Sequence, residues 1–191
     1  PTPWQDNARA ANYLASLIWE AVRKTLVKAA QAMEWLQDVA RVVARSDKPV
    51  TWETPLGFLV QQGYREADMR TVKLMLGTRR VTLVRYREEI DKISRRKQAS
   101  SVAPNFVHAC DASHLMLTVV RANQEGIKSF AVIHDSFGTL APDTDKLFTA
   151  IREAMVELYS TVDVLGRFAE DAAQQVGEKL AEKIPPQPTQ G

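Results

Sequence analysis

Residues 8–45 contain neither glycine nor proline, and their apolar side chains recur at steps of three and four. Leu14, Ile18, Val22, Leu26, Ala29, Met33, Leu36, Ala40 and Val43 carry the stripe. That period belongs to one face of a helix, so the stretch predicts a single helix of about 55 Å at 1.5 Å per residue. Asp6 or Asn7 can cap its start through a side-chain oxygen. The stripe reads as a core face, and Trp19 and Trp35 read as packing residues within it. Such an opening excludes an all-β chain.

Beyond Pro49 the pattern changes. Residues 50–64 mix Val50, Trp52, Phe58 and Val60 with Pro55 and Gly57, which predicts a short hairpin. Residues 70–87 read as an extended pair turning near Gly77, and the polar residues 88–101 as loop. Pro104-Asn105 opens a predicted helix over 105–124, and Gly126 breaks it. An apolar strand over 129–134, a turn at Asp135-Ser136 and a return to Leu140 follow. Helices are then predicted from Pro142-Asp143-Thr144, with Leu147, Ile151, Met155 and Leu158 facing inward, and from Asp163 to about Lys183. The proline-rich end, 185–191, reads as disordered. The fold class is α+β and predominantly helical, divided as 1–48, 49–101, 102–184 and the tail.

The 191 residues are 45% hydrophobic, enough for one core or two small ones. A single cysteine, Cys110, rules out an internal disulfide, and no apolar run nears the roughly 18 residues of a membrane span. The expectation is a soluble, cytoplasmic protein without a membrane partner. A net charge of +2 conceals an uneven distribution. Residues 70–97 hold Arg70, Lys73, Arg79, Arg80, Arg85, Arg87, Lys92, Arg95, Arg96 and Lys97 against Glu88, Glu89 and Asp91. A basic ribbon of this kind suits a polyanion, and a two-stranded ribbon fits the DNA major groove. A solvated basic loop is the competing reading.

The chemistry concentrates in Ser129-Phe-Ala-Val-Ile-His-Asp-Ser-Phe-Gly138. Apolar residues on both strand faces predict a buried strand, and it runs into a carboxylate whose charge is costly unless paired. A divalent metal on Asp135 meets that need with a hard oxygen donor. His108-x-x-Asp111-x-x-His114 on one helix, with Cys110 beside it, offers a zinc site but lacks the second ligand cluster usual for structural zinc. Ser136 with His134 offers a hydrolase but lacks the Gly-x-Ser-x-Gly elbow. A strand–Asp–strand hairpin behind a helix bearing His and Asp suits a two-metal nucleotidyl-transfer palm.

Several segments occur together in order along the chain. They are Ala10-Ala-Asn-Tyr-Leu-Ala-Ser-Leu-Ile-Trp-Glu20, Ala32-Met-Glu-Trp-Leu36 and Trp52-Glu-Thr-Pro-Leu-Gly-Phe58. Ala103-Pro-Asn-Phe-Val-His108, Asp111-x-Ser-His-Leu115, Ile133-His-Asp-Ser-Phe-Gly-Thr139 and Asp163-Val-Leu165 follow. In them the chain resembles the C-terminal part of single-subunit, bacteriophage (T7-type) DNA-dependent RNA polymerases.

The resemblance implies a palm fragment with a hairpin carrying the His-Asp motif and a protruding specificity ribbon. It makes Asp135 a Mg²⁺-binding catalytic aspartate, with His134 supporting the site and His108 near the RNA–DNA hybrid. Ala109-Cys110 stand where the family usually has Ser-Gln. On the ribbon, Arg70, Val72, Arg80 and Thr82 fall on base-reading positions. DNA template and promoter, RNA product and NTPs are the implied partners, in a bacterial host cell. The first catalytic aspartate and the Lys/Tyr nucleotide helix belong to a missing N-terminal polymerase region, supplied in cis or trans. The chain alone is therefore expected not to polymerise. A non-catalytic DNA-binding module or prophage remnant is the alternative.

Overall fold

A computed structural model describes residues 6–188, apart from the side chains of residues 84–87. It is mostly helical, with three separate two-stranded antiparallel sheets. The helical opening is two helices, α1 (Asn7–Thr25) and α2 (Val27–Val43). Asp6 caps α1, accepting from the amides of Ala8 at 2.9 Å and Arg9 at 3.3 Å. Leu26 leaves helical geometry at φ −111°, ψ 57°, so the expected single helix is interrupted there.

The two halves use the same stripe differently. Helix α2 buries Trp35, Leu36, Val39, Ala40 and Val43, whereas α1 buries nothing among the described residues. Trp35 is a core residue at 5% exposure, but Trp19 is 38% exposed, against the expectation that both pack inside. Periodicity defines a face; burial also needs an element to cover it.

Strands β1 (Thr51–Glu53) and β2 (Leu59–Gln61) form the first hairpin. β3 (Arg65–Leu76) and β4 (Arg79–Ile93) form a long ribbon turning at Gly77, whose φ of +63° is favourable for glycine. Helix α3 (Arg95–Gln124) follows after Ser94. The loop expected over 88–101 is thus strand and helix, and Pro104 lies inside α3 instead of opening it. Proline removes one helical hydrogen bond at the exposed Ser100 carbonyl. The two turns before it bury Gln98, Ala99, Val102 and Ala103, and that packing outweighs the loss.

After α3 come β5 (Ala131–Ile133), β6 (Ser136–Gly138), α4 (Thr144–Thr161), α5 (Val164–Gln175) and the short α6 (Glu178–Ala181). The single last helix expected to reach Lys183 is divided at Val176-Gly177, where the backbone is extended. Helix α4 turns Leu147, Ala150, Ala154 and Leu158 inward, while Met155 is 47% exposed, a correction to its expected inner face. Residues 185–188 of the expected disordered tail are packed. Trp35 Nε1 donates to the Pro185 carbonyl at 2.9 Å and Gln187 Nε2 to Asp163 Oδ1 at 3.0 Å. The tail residues 189–191 lie outside the described residues.

The main core joins α2, β1, α3 and α5 around Phe168. Trp35, Trp52 and Phe106 surround that ring at 6.0, 5.7 and 5.3 Å between centroids, all edge-on. Each such pair contributes about 0.5–1.5 kcal/mol beyond its buried area. A second, smaller cluster of Ala122, Ile127, Leu147 and Ala150 receives Phe130, Phe137 and Ile151. Helix α3 runs through both clusters and makes one platform of them.

Candidate active-site groove and basic ribbon

His134 and Asp135 form the two-residue turn of the β5–β6 hairpin, between the paired residues Ile133 and Ser136. The turn lies one residue earlier than the expected Asp135-Ser136. The strand is also less buried than its apolar run suggests: Val132 faces inward opposite Phe137, while Ile133 is 71% exposed. A two-stranded hairpin has one covered face, and here Phe130 and Phe137 supply it over the second cluster.

His134 adopts φ +54°. A side chain with a Cβ is disfavoured in that region, and holding it there costs on the order of 1–3 kcal/mol. Packing of Phe137 beneath the hairpin and the closing Ile133–Ser136 pair keep the turn in this shape. The strain raises both His134 and Asp135 onto an exposed rim.

Opposite the turn, α3 presents His108, Asp111, Ala112 and Leu115, residues spaced i, i+3, i+4 and i+7 on one helical face. Together with His134 and Asp135 they line a groove of about 520 Å³. The fold therefore joins His108, His134 and Asp135, and adds Asp111, which sequence reasoning had placed only in a zinc motif. The helical spacing from His108 was the signal that could have singled it out.

His114 does not belong to this set. Six residues carry it about 120° around α3 from His108. Its Nε2 lies 2.9 Å from the Ile151 carbonyl, and its ring meets Phe137 edge-on at 5.7 Å. Cys110 points the same way, buried and hydrogen-bonded to Tyr159. Burial, then the nearby Asp111 charge, pushes its thiol up to about 11. Burial and the Cys110 and Asp111 charges likewise push the Tyr159 phenol up to about 12. A thiol held protonated is a poor metal ligand or nucleophile. Among the described residues no three His, Cys, Asp or Glu side chains converge to hold a metal. The zinc reading is thereby excluded within them. Ser136 begins β6, and no hydrogen bond among the described residues joins it to His134.

The same observation measures the fit to Mg²⁺. Asp135 offers a hard oxygen donor, and Asp111 places a second carboxylate on the groove. These residues match part of a magnesium shell and leave the remaining donors to other groups.

The ribbon stands apart. Residues 69–80 of β3, its turn and the start of β4 are all exposed. Arg70 pairs with Arg85, Val72 with Leu83, Lys73 with Thr82 and Met75 with Arg80. Directly paired residues share a face, so Arg70 and Val72 lie on one face and Arg80 and Thr82 on the other. The four residues expected to read bases are thus divided between the two faces.

A family model described as DNA-dependent RNA polymerase matches residues 2–190. The chain belongs to this family. It is 43% identical to the DNA-directed RNA polymerase of Enterobacteria phage T3, over 96% of its length. It is 42% identical to that of Enterobacteria phage K11 and to the T7 RNA polymerase of Escherichia phage T7, again over 96% of its length. Each match covers 22% of the relative, so this polymerase-family chain spans about a fifth of their length. No described helix is long and apolar enough to cross a membrane.

Proposed function

We propose that this chain is the C-terminal palm and promoter-reading ribbon of a DNA-directed RNA polymerase acting in a bacterial host's cytoplasm. The observation that carries the reading is the groove in which His134 and Asp135 face His108 and Asp111 across α3, in a chain of this family. The reaction joins the 3′ oxygen of RNA to the α-phosphorus of an NTP and releases pyrophosphate. Mg²⁺, when bound, stabilises charge on the attacking and leaving oxygens.

Asp135 would supply one magnesium ligand from the rim of the hairpin, and His134 would hold that rim in place. His108, exposed on α3, would contact the RNA–DNA hybrid. Arg70 and Arg80 would each reach guanine edges, Thr82 would hydrogen-bond a base, and Val72 would contact a thymine methyl. Their division between two faces means the ribbon would enter the major groove on edge. The remaining metal ligands and the nucleotide-binding helix would come from polymerase sequence beyond these residues, so the 191 residues alone would not polymerise.

The test replaces the matched fifth of a phage relative with this chain and measures NTP incorporation on a primed template. The chimera is expected to incorporate nucleotide, and Asp135→Ala to reduce the rate about 10³-fold or more, as loss of a metal-held charge does. The chain alone is expected to show no incorporation. A chimera as active with Asp135→Ala as without it would sink the assignment.

The exposure of the whole outer ribbon supports a second reading, a DNA-binding module or prophage remnant without catalysis. Duplex binding by the chain alone, together with an inactive chimera, would favour it.

A further inference from the structure

The root of the ribbon is held by a cluster of buried amides that the proposed chemistry does not use. Gln98, in the first turn of α3, is fully buried, and Gln62 is 3% exposed. Gln98 Nε2 donates to the Gln62 carbonyl at 2.6 Å and the Tyr64 carbonyl at 3.4 Å. Its Oε1 accepts from the Val50 amide and from Gln62 Nε2, both at 3.1 Å. Two turns along α3, Asn105 Nδ2 donates to Gln62 Oε1 at 2.8 Å and the Tyr64 hydroxyl at 3.2 Å.

Tyr64 is the last residue before β3, and its carbonyl also accepts from the amide of Ser94, the first residue after β4. The neighbouring Ile93 amide donates to Asp47 Oδ1 at 3.1 Å. Both strands of the ribbon therefore leave the body at a point gripped by Gln98 and Asn105. Just outward, register shifts between Arg65 and Ala67 and between Asp68 and Met69 interrupt the ladder. Such irregularities bend a ribbon, so a fixed direction has to be set at the root.

Apolar side chains could fill this volume, but they would impose no direction. Buried amides must meet their partners at bonding distance and angle or lose about 1–3 kcal/mol for each group left unpaired. The helix that carries this grip also carries His108 ten residues later, about 15 Å along its axis. One rigid element thus connects the ribbon to the groove.

We infer that Gln98, with Gln62 and Asn105, is a positioning cluster that fixes the direction in which the basic ribbon leaves α3. It thereby sets the spacing between DNA held on the ribbon and the groove at His108 and Asp135. The second clause rests on the ribbon's proposed DNA contact; the first does not.

Spin labels at Glu89→Cys and Glu125→Cys, in a Cys110→Ala background of the full chain, read the angle as a distance distribution. Gln98→Leu is expected to broaden that distribution about twofold while helical content stays constant, because the root loses its directional bonds. Asn105→Ala, which removes two of the bonds and leaves the buried pair, should broaden it less. Gln98→Glu keeps the side-chain volume and the acceptor but loses both donors, and serves if the leucine variant fails to fold. Unchanged widths in folded variants would overturn the inference.

A second arm measures binding to a mixed-sequence duplex pool. Gln98→Leu should keep overall affinity within about threefold, since no phosphate contact is lost, yet flatten its sequence preference. A preference identical to the parent's, beside one altered by Arg70→Ala and Arg80→Ala, would overturn the coupling to DNA. If those arginine variants change nothing, the DNA reading of the ribbon fails while the label widths still judge the cluster.

Discussion

Two antiparallel hairpins of this chain are built to opposite ends. The β5–β6 hairpin pairs three residues with three and lies with Phe137 over Ala122, Ile127, Leu147 and Ala150. The β3–β4 ribbon pairs along eleven registered positions, yet packs chiefly on itself and exposes its outer length. The short hairpin holds one carboxylate still, even at the expense of a strained His134. The long one reaches outward and depends on its root for direction. A hairpin can be exact in position or long in reach, according to whether a core or only its own ladder supports it.

That contrast is open to measurement. Phe137→Ala should cost about 2 kcal/mol in chemical denaturation, a little under the usual loss for a wholly buried phenylalanine. Leu74→Ala on the ribbon, where the side chain is 42% exposed, should stay within about 0.5 kcal/mol. Equal costs would erase the distinction between a seated and a free-standing hairpin.

The ribbon should show itself in binding. Arg70→Ala combined with Arg80→Ala is expected to lower the steepness of duplex affinity against salt by about 0.9 per phosphate contact removed. Denaturation midpoints should hardly move, since both side chains are exposed. A stability loss without any change in salt dependence would make the ribbon structural.

At the seated hairpin, His134→Gly should raise stability by about 1 kcal/mol by relieving the positive φ. In the chimeric polymerase it should also reduce nucleotide incorporation. A destabilised His134→Gly variant would show that the turn is not strained.

The smallest effect is absent at neutral pH. The Cys110 thiol, pushed up to about 11 from an ordinary 9.0, stays protonated in the fold when the unfolded chain has begun to ionise. Its contribution is intact below pH 9 and falls as the pH rises toward 11. Tyr159, at about 12 against 10.0, extends the decline in the same direction. Thermal melts of the parent and Cys110→Ala across pH 8–11 should diverge above pH 9. Parallel curves would place the thiol in a less enclosed setting.

Much of this was readable from residue order alone. The period of Leu14 to Val43 announced helix, the turn at Gly77 announced a ribbon, and Ile133-His-Asp-Ser-Phe-Gly-Thr139 announced the polymerase family. What periodicity could not supply was the covering partner. It made Trp19 equivalent to Trp35, whereas only the latter found Phe168 and Pro185. Pro104 looked like a boundary because its lost hydrogen bond is a local fact, while the burial that carries α3 past it is not.

By itself, then, the sequence determined the element types, the family and the identity of the groove's chemical groups, because these follow from local period and residue chemistry. The tertiary structure decided which groups meet. It turned His114 and Cys110 toward α4, brought Asp111 opposite Asp135, and divided Arg70 from Arg80 across the ribbon. Those outcomes depend on helix rotation and strand register, which are set by packing between residues far apart in the chain.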